Sequence, residues 1–502
     1  MAHDNVDLLV IGGGANGAGI ARDAAGRGLS VLLAERGDLG GATSSASSKL
    51  VHGGLRYLEH YEFRLVREAL GEREVLLRLA PHIVWPMRFV LPHVEGMRPR
   101  WMLRAGLFLY DNLARRVTLP ASQALDFRAH PWGGPLNGQS RHGFAYSDAW
   151  VEDARLVILN ARDAAARGAT ILVRTAFTGA TRDAEGWTAT LREENGQERV
   201  VRARAIANAA GPWVMEALGE TGVTTKDRIR LVRGSHIVVP ALYEGDQAYI
   251  LQNDDRRVVF VIPYEGRFTL IGTTDVPHDP ASGPPRCTPE EAAYLCRAVS
   301  RQFRRPVTPE DIVWSYSGVR PLHDDGAENP SAVTRDYVLK MDRPAGRGGA
   351  PLLSVFGGKI TTYRRLAEDA AGQIAAALGH GGGAWTAGAT LPGGDLGGLS
   401  SEAFLAEAER RYPFLPPPQL RRLFHCYGGE LDAVLGHAGS LADLGRDLGG
   451  GITERELAWM MREEWVRAPE DALWRRTKRG LHMTEAERRN FAQAFPEVRQ
   501  AA

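Results

Sequence analysis

The residues VDLLVIGGGANGAGIARDAAGRGLSVLLAE, positions 6–35, decide the fold. Val6 to Ile11 is a continuous apolar run typical of a buried strand. Ala15 to Arg27 is rich in alanine and predicts a helix, and Ser30 to Ala34 predicts a second strand. A strand, a helix and a second strand in this order predict a parallel sheet covered by helices, which is an α/β fold.

The turn between the first strand and the helix fits the pattern G-x-G-x-x-G at residues 12–17. Gly12 permits the tight turn, Gly14 lets the backbone approach a pyrophosphate, and Gly17 lets the helix pack closely on the strand. Glu35 ends the second strand at the spacing of a carboxylate that binds ribose hydroxyls, which disfavours a 2′-phosphate. The loop predicts a dinucleotide of the FAD or NAD kind and does not separate the two.

A polar run, ATSSASSKLVHGGLRYLEHYEFRLV at residues 42–66, follows the second strand at once. Its hydroxyls and its cation lie just beyond the first half of the nucleotide fold, where they can hold a second phosphate and the flavin end of FAD. NAD-dependent dehydrogenases usually place a separate catalytic region after a complete nucleotide fold, so this arrangement favours FAD. A solvated surface turn is the alternative.

The remaining sequence indicates three parts by its pattern. Short β-type runs recur between Thr170 and Thr274, and from about Gly388 onward Gly and Pro clusters precede helical patterns such as RELAWMMREEW. We therefore expect residues 1–80 to begin a nucleotide-binding domain, which segments at about 146–215 and at 356–387 complete. Residues 81–355 otherwise form an interleaved mixed-sheet substrate or cap domain, and residues 388–502 form an all-helical C-terminal domain.

Composition and charge exclude several classes of protein. Across 502 residues, 61 Lys and Arg against 60 Asp and Glu leave a net charge of +1, so there is no basic excess for nucleic acid. The cysteines Cys287, Cys296 and Cys426 lack the spacing of a disulfide framework or a zinc or iron–sulfur site, which fits a reducing compartment. We expect no metal.

We expect neither export nor a membrane span. The N-terminus, MAHDNVD, lacks the basic region of a signal peptide, and no apolar stretch reaches the roughly 18 to 20 residues of a membrane span. The segment Met97 to Arg116 mixes arginines with Trp101, Phe108 and other apolar residues, which suits an anionic lipid surface. A core helix with a solvated basic edge is the alternative.

Several long segments of the chain resemble the FAD-dependent, respiratory glycerol-3-phosphate dehydrogenases, and the resemblance covers nearly the whole sequence. Ala209 stands where that family more often carries Thr, which leaves the backbone role of Gly211 intact. The segments that carry the resemblance are the glycine loop, the polar run, YSDAWVEDARLV (146–157), NAAGPWV (208–214), RGSHIVVP (233–240), AYILQNDDRRVVFVIPY (248–264), LIGTTDV (270–276), WSYSGVRPL (314–322), TRDY (334–337), LLSVFGGKITTYRRLAE (352–368) and DALWRRTKRG (471–480).

The resemblance implies a Rossmann-type FAD-binding domain interleaved with a mixed-sheet substrate domain like that of D-amino-acid oxidase, plus the helical C-terminal domain. It assigns FAD to residues in three parts of the chain. These are Gly12, Gly14, Asn16, Gly17 and Glu35 at the adenosine and pyrophosphate end, Ser45, Ser48 and Lys49 in the middle, and Gly211, Gly358, Lys359, Thr361 and Thr362 near the flavin.

The resemblance also implies the reaction, which is oxidation of glycerol 3-phosphate to dihydroxyacetone phosphate by hydride transfer to FAD. Arginine suits a phosphate site because its planar fork binds two oxygens at once. His236 is the first candidate for the base, because imidazole titrates near neutrality, and Lys359 is the second. The substrate contacts implied are Arg56, Tyr57, Thr273, Thr274, Arg320, Arg335 and Lys359, with Arg320 also among the catalytic residues.

A second glycine fingerprint for NAD is not evident in the sequence, and the resemblance implies a membrane quinone as the electron acceptor. It also implies a cytoplasmic enzyme bound peripherally to the inner face of the cytoplasmic membrane. The sequence leaves the oligomeric state open, a homodimer being one candidate. The nearest alternative is a flavin oxidase that passes electrons from glycerol 3-phosphate or an amino acid to dioxygen. A non-catalytic FAD module and a tRNA-modifying flavoprotein are less favoured.

Overall fold

The computed structural model describes residues 4–255, 257–324, 336–343 and 349–501. Its strands are β1 (Asp4–Ile11), β2 (Val31–Ala34), β3 (Leu50–Val51), β4 (Val84–Pro92), β5 (Gln123–Asp126), β6 (His142–Val151), β7 (Thr170–Leu172), β8 (Thr175–Arg182), β9 (Trp187–Glu193), β10 (Glu198–Asn208), β11 (Arg228–Pro240), β12 (Ala248–Gln252), β13 (Val258–Tyr264), β14 (Phe268–Gly272), β15 (Val276–Pro277), β16 (Trp314–Asp324), β17 (Val338–Asp342) and β18 (Leu352–Phe356).

The α-helices lie between these strands and in the C-terminal part of the chain. They are α1 (Ala15–Gly26), α2 (Phe63–Leu79), α3 (Arg100–Asn112), α4 (Asp153–Ala166), α5 (Val214–Gly219), α6 (Pro289–Ser300), α7 (Tyr363–Ala377), α8 (Ser401–Arg411), α9 (Pro417–Tyr427), α10 (Leu431–Leu435), α11 (Glu454–Glu463) and α12 (Glu485–Ala501).

The first sheet has β1 at its centre. Its strand order is β17-β18-β10-β1-β2-β7, and the five strands from β18 to β7 run parallel. The strands β9 and β8 continue from β10 in antiparallel pairing. Alternate residues of β1 and β2 pack with α1, α4 and α7 in one buried core, and the residues between them belong to a second buried core. Both faces of these strands are therefore buried, which is why the strands read as apolar runs. The predicted α/β fold is confirmed.

Two glycines make the turn from β1 into α1 possible. Gly12 has a φ of +102°, and a Cβ atom there would lie 2.7 Å from the carbonyl oxygen of Ala209. A Cβ atom at Gly17 would lie 1.9 Å from the carbonyl oxygen of Gly12. Both contacts are shorter than a carbon and an oxygen can approach, so the turn requires glycine at each position.

The second sheet forms a wall opposite the glycine turn. Its order is β15-β11-β14-β13-β12-β4-β6-β3, with β16 paired to β11 and β5 paired to β6. The pairing is antiparallel except between β12 and β4. The short 3₁₀ helix Thr43–Ser45, which follows β2, reaches this sheet, and Thr43 Oγ1 donates to the carbonyl oxygen of Val319 at 2.7 Å. The polar run thus connects the two sheets.

The sheets divide the chain somewhat differently from the predicted segments. β3 lies inside the segment 1–80 but pairs with β6 in the second sheet, and β6 itself lies partly inside the predicted returning segment. β17 lies inside the segment 81–355 but pairs with β18 in the first sheet. Very short strands and an antiparallel edge strand carry little sequence signal, which is why these memberships were not evident.

The C-terminal part is helical, as predicted, and docks on the first sheet's helices through buried charges. Arg155 on α4 pairs with Glu464 at 2.6 Å and donates to the carbonyl oxygen of Cys426. Arg162, also on α4, pairs with Glu430 at 2.6 Å. In the described ranges, the helices are all too short or too polar to cross a membrane.

Candidate active site

A cavity of about 1820 Å³ lies between the two sheets. This volume exceeds the range of roughly 300 to 1,000 Å³ found for pockets that hold drug-sized ligands, so it suits an extended dinucleotide together with a substrate. Its wall runs from the glycine turn and Glu35 at one end, past the polar run, to His236, Arg320 and Lys359 at the other. We call these the nucleotide end and the substrate end.

At the nucleotide end, the N-terminus of α1 faces the cavity through Gly12, Gly14, Ala15 and Asn16. Helix N-termini carry partial positive charge and attract phosphate groups. Gly17 does not line the cavity, because it lies beneath the turn against Gly12. The absence of side chains at the turn and the orientation of the helix fit the pyrophosphate of FAD.

Glu35 lines the same end and is fixed by the backbone on both sides. Its Oε2 accepts from the amide of Gly13 at 2.6 Å, and its Oε1 accepts from the amide of Gly37 at 2.7 Å. Burial raises the pKa of Glu35, while these two amides lower it in part. The carboxyl oxygens are thus held in place at the cavity wall, as a ribose contact requires.

Two residues assigned to FAD from the resemblance, Lys49 and Ser45, do not line the middle of the cavity. The ammonium of Lys49 does not reach the cavity, because both oxygens of Asp153 bind it at 2.8 Å and neither side chain is exposed. Ser45 is also absent from the cavity wall, and its hydroxyl lies near the carbonyl oxygen of Ala42. A buried ammonium needs a carboxylate partner, and here that need takes Lys49 away from a ligand.

Neighbouring serines do reach the wall. Ser44 Oγ accepts from the amide of Ala15 at 3.0 Å and so ties the polar run to the start of α1. Ser48 Oγ lies 2.9 Å from His236 Nε2 and links the polar run to the substrate end.

The loop after β18 closes the cavity near the glycine turn. Gly358 has a φ of +96°, and Asn16 Nδ2 donates to the carbonyl oxygen of Gly357 at 3.2 Å. Thr361 lines the cavity and its Oγ1 accepts from the amide of His52 at 3.2 Å. Gly211 also lines the wall, whereas Thr362 is buried and does not. These contacts bring the ends of β1 and β18 around one cavity.

Three of the cations predicted to contact the substrate line the cavity at the substrate end. Lys359 Nζ lies 4.0 Å from the centre of the Tyr57 ring, and Arg56 is the neighbour of that tyrosine. Arg320 donates to the carbonyl oxygen of Thr274 at 3.1 Å and pairs with Asp275 at 3.0 Å.

The other three predicted substrate contacts are Arg335, Thr273 and Thr274. Arg335, predicted as a further phosphate contact, lies outside the described residues. Thr273 lines the cavity, but Thr274 does not, because its hydroxyl donates to Glu291 at 2.6 Å and accepts from the amide of Ser235. Thr274 is therefore a structural residue beneath Arg320.

His236 lies at the substrate end in an environment that its sequence context did not reveal. Its ring stacks on Tyr316 with 4.8 Å between the ring centres, and its Nδ1 has no hydrogen-bond partner in the described part of the chain. Burial, and then the charges of Lys49 and Arg320, lower the pKa of His236 to about 3. The expectation that this imidazole titrates near neutrality is wrong, and His236 is uncharged at physiological pH.

His52 is a site residue that the sequence analysis missed, although it lies inside the polar run. It lines the cavity, and burial lowers its pKa, with Lys359 lowering it further and Asp148 raising it. The next residue, Gly53, donates its amide to Tyr110 Oη at 2.9 Å. Asp148 accepts from Tyr110 and from Arg73, so a buried network holds this part of the wall.

The chain matches the family model of FAD dependent oxidoreductases over residues 7–364 and the model of the C-terminal domain of alpha-glycerophosphate oxidase over residues 384–500. It is 51% identical to D-erythritol 1-phosphate dehydrogenase of Brucella abortus over 494 residues, covering 98% of both chains. It is also 51% identical to glycerol-3-phosphate dehydrogenase of Pseudomonas aeruginosa over 488 residues, covering 97% of this chain and 94% of that protein.

Among solved structures, the glycerol-3-phosphate dehydrogenase of Bacillus halodurans complexed with FAD superimposes with a TM-score of 0.72 at 26% identity. The match covers 100% of this chain and 96% of that chain. The two domains seen here, the sheet-built part and the helical C-terminal part, are thus matched by one structure along their full length.

The glycine turn provides a test of the cofactor site. Gly14→Val places a side chain at the N-terminus of α1, where its Cβ would lie 3.0 Å from Ser44 Oγ and its methyl groups would occupy the position of the pyrophosphate. We expect the purified variant to lose its FAD, measured as flavin absorbance per protein. Gly71→Val, on α2 where a Cβ meets no atom within 4 Å, is the control. Full flavin content in Gly14→Val would contradict the assignment of the glycine turn to the pyrophosphate of FAD.

Proposed function

The chain belongs to the family of FAD-dependent oxidoreductases that includes the glycerol-3-phosphate dehydrogenases, and on this premise we propose that it oxidises glycerol 3-phosphate to dihydroxyacetone phosphate. FAD, when bound, supplies the acceptor for the hydride that leaves C2 of the substrate. The observation that carries the proposal is one continuous cavity with a nucleotide site at one end and Arg56, Arg320 and Lys359 at the other. A small phosphate dianion needs several cations of this kind.

The residues of the substrate end divide the work of binding and proton transfer. Arg320, Arg56 and Lys359 bind the phosphate and hold the substrate at a fixed depth in the cavity. His236 lines the cavity, is neutral and shares a hydrogen bond with the Ser48 hydroxyl through Nε2, so the ring and this serine can contact the substrate hydroxyl. We keep His236 as the first candidate for the base and Lys359 as the second. Arg335 remains a proposed phosphate contact.

One of the similar proteins suggests a second candidate substrate. The relative from Brucella abortus is as similar to this chain as the glycerol-3-phosphate dehydrogenase from Pseudomonas aeruginosa, and its name gives D-erythritol 1-phosphate as the substrate. The two compounds share the phosphate and the secondary hydroxyl, and the longer polyol adds one carbon with its hydroxyl. The same three cations serve either compound.

Anaerobic reduction of the bound flavin separates these substrates. We expect glycerol 3-phosphate to bleach the flavin band of the purified protein, with kcat/KM at least tenfold above that for D-erythritol 1-phosphate, because one extra group in a fitted pocket costs about 1–3 kcal/mol. Stopped-flow absorbance measures both. A preference for D-erythritol 1-phosphate would assign the second substrate, and reduction by an amino acid alone would contradict a phosphate substrate.

The phosphate role of Arg320 is testable by substitution. Removing one partner of a charge pair costs about 2–5 kcal/mol, and Arg320 is part-exposed, so the lower end applies and Arg320→Ala lowers kcat/KM for glycerol 3-phosphate about 30-fold. Glycerol, which lacks the phosphate, loses far less, and flavin content is unchanged. The control is Arg305→Ala, a surface arginine away from the cavity. An equal loss for glycerol and glycerol 3-phosphate would contradict the phosphate role.

We further propose that electrons leave to a membrane quinone and that the protein binds the inner face of the cytoplasmic membrane. Helix α3 buries Leu107 and Tyr110 and leaves Trp101 and Phe108 exposed by 70% and 64%. Val94 to Arg98, the segment just before α3, lines the cavity. An apolar and basic surface that follows a cavity-lining segment supports delivery of electrons at a lipid surface. A homodimer remains a proposal.

Membrane binding through α3 is testable with vesicles. Arg104 donates to Ser122 and is part of the fold, so the test variant combines Arg100→Ala, Trp101→Ala and Phe108→Ala. We expect loss of sedimentation with anionic vesicles because the inserted aromatic area and one charge are removed, while activity with a soluble dye is retained. Undiminished vesicle binding would contradict the proposal that α3 binds the membrane.

The electron acceptor is testable separately. Steady hydrogen peroxide formation at the rate of substrate oxidation would favour the oxidase alternative over a quinone acceptor.

A further inference from the structure

One side chain of the C-terminal domain reaches the cofactor cavity. Among the described residues beyond 384, Arg475 alone lines the wall, and it does so at the nucleotide end near Gly37 and Asp38. It lies on the π-helical turn Asp471–Arg476, which packs against α4 and the loop after β2. The C-terminal domain is therefore part of the cavity and not an appendage to it.

Arg475 belongs to a buried network of five charges. Its Nε donates to Asp38, and its Nη2 donates to Asp471 at 2.5 Å. Arg476 binds the same Asp38 with two nitrogens, at 2.5 and 2.8 Å. Arg174, which follows β7, donates to Asp471 at 3.1 Å and also lines the cavity. Burial alone would raise the pKa of Asp38, but the neighbouring Arg476 and Arg475 lower it, so Asp38 is ionised.

The network acts on the loop that carries Glu35. Asp38 is three residues beyond Glu35, and between them Gly37 donates its amide to the Glu35 carboxylate. Gly40, just after Asp38, donates to the carbonyl oxygen of Gly13 at 2.9 Å. The ion pairs that hold Asp38 therefore also hold the Glu35 carboxylate and the glycine turn in place. Arg174 also pairs with the exposed Glu194 at 3.4 Å, so the three guanidinium groups at this edge of the cavity meet three carboxylates.

We propose that the C-terminal domain completes the FAD site, with Arg475 closing the nucleotide end and, together with Arg476, holding the Asp38 loop in the geometry that binds the adenosine half. Docking of the C-terminal domain and binding of FAD are then coupled. Because coupling between two equilibria is reciprocal, FAD stabilises the docked domain by the same factor by which docking tightens FAD.

The test variant is Arg475→Met, which keeps the apolar stem and removes the charge. Asp38 retains Arg476, and Asp471 retains Arg174 and the amides of Arg467 and Ala468, so the fold keeps its partners. We expect FAD to leave the diluted holoprotein at least about tenfold faster than from the parent, as loss of a charge-assisted contact predicts. The rise of flavin fluorescence on release measures the rate.

Arg162→Met is the matched control. Arg162 joins α4 to Glu430 of the C-terminal domain at 2.6 Å but does not line the cavity. The buried pair of Arg155 with Glu464 still joins α4 to that domain in this variant, so we expect the domain to stay docked and FAD release to be unchanged. Arg475→Lys restores a charge without the two-armed contact and gives an intermediate rate. Release from Arg475→Met within twofold of the parent overturns the proposal, and so does equal acceleration in both Met variants.

Hydrogen exchange gives a readout that does not depend on any variant. Saturating FAD added to flavin-depleted full-length protein slows amide exchange in residues 471–480 of the C-terminal domain. Equal exchange in this segment with and without FAD would overturn the coupling even if substrate oxidation is as proposed. Failure of the proposed substrate would leave both readouts unaffected, because neither uses substrate.

Discussion

The close approach of three backbone segments at the carboxyl end of β1 is the constraint on which the rest of the structure depends. Gly12 lies against the carbonyl of Ala209 after β10, Gly17 lies against Gly12, and Asn16 reaches the carbonyl of Gly357 after β18. No side chain fits between these segments at Gly12 and Gly17. Because they meet so closely, the N-terminus of α1 and the ends of three parallel strands open into one cavity, where ligands of such sheets bind.

The parts of the molecule that could be predicted from sequence are those encoded by neighbouring residues. The strand, glycine turn, helix and second strand lie within 30 residues, and glycine at positions 12 and 17 has a steric cause that the spacing already implies. The helical C-terminal domain was likewise evident from its local pattern. The proposed substrate cations were different, because nothing in the neighbouring sequence distinguishes one arginine among 61 basic residues, and a family resemblance was needed to select Arg320.

The parts that could not be predicted depend on partners distant in sequence. The sequence predicts Lys49 as a phosphate ligand, but Asp153, about a hundred residues away, binds its ammonium. Burial and nearby cations lower the pKa of His236, and neither can be read from the segment GSHIVV. Arg475 comes from a separate domain, so no spacing rule connects it with the glycine turn. Each case is a tertiary effect that outweighs the chemistry expected of the isolated residue.

Exposure distinguishes the cations that are committed to a carboxylate of the protein from those that are accessible to a ligand. Lys49 and Asp153 are both fully buried, and separating such a pair leaves an unsolvated charge, so a ligand cannot compete for either partner. Arg320 and Asp275 are exposed by 37% and 44%, and a pair of this kind contributes at most about 1 kcal/mol. A phosphate dianion can therefore replace Asp275 at Arg320 with little loss. The weakness of this ion pair supports the proposal that Arg320 binds the substrate.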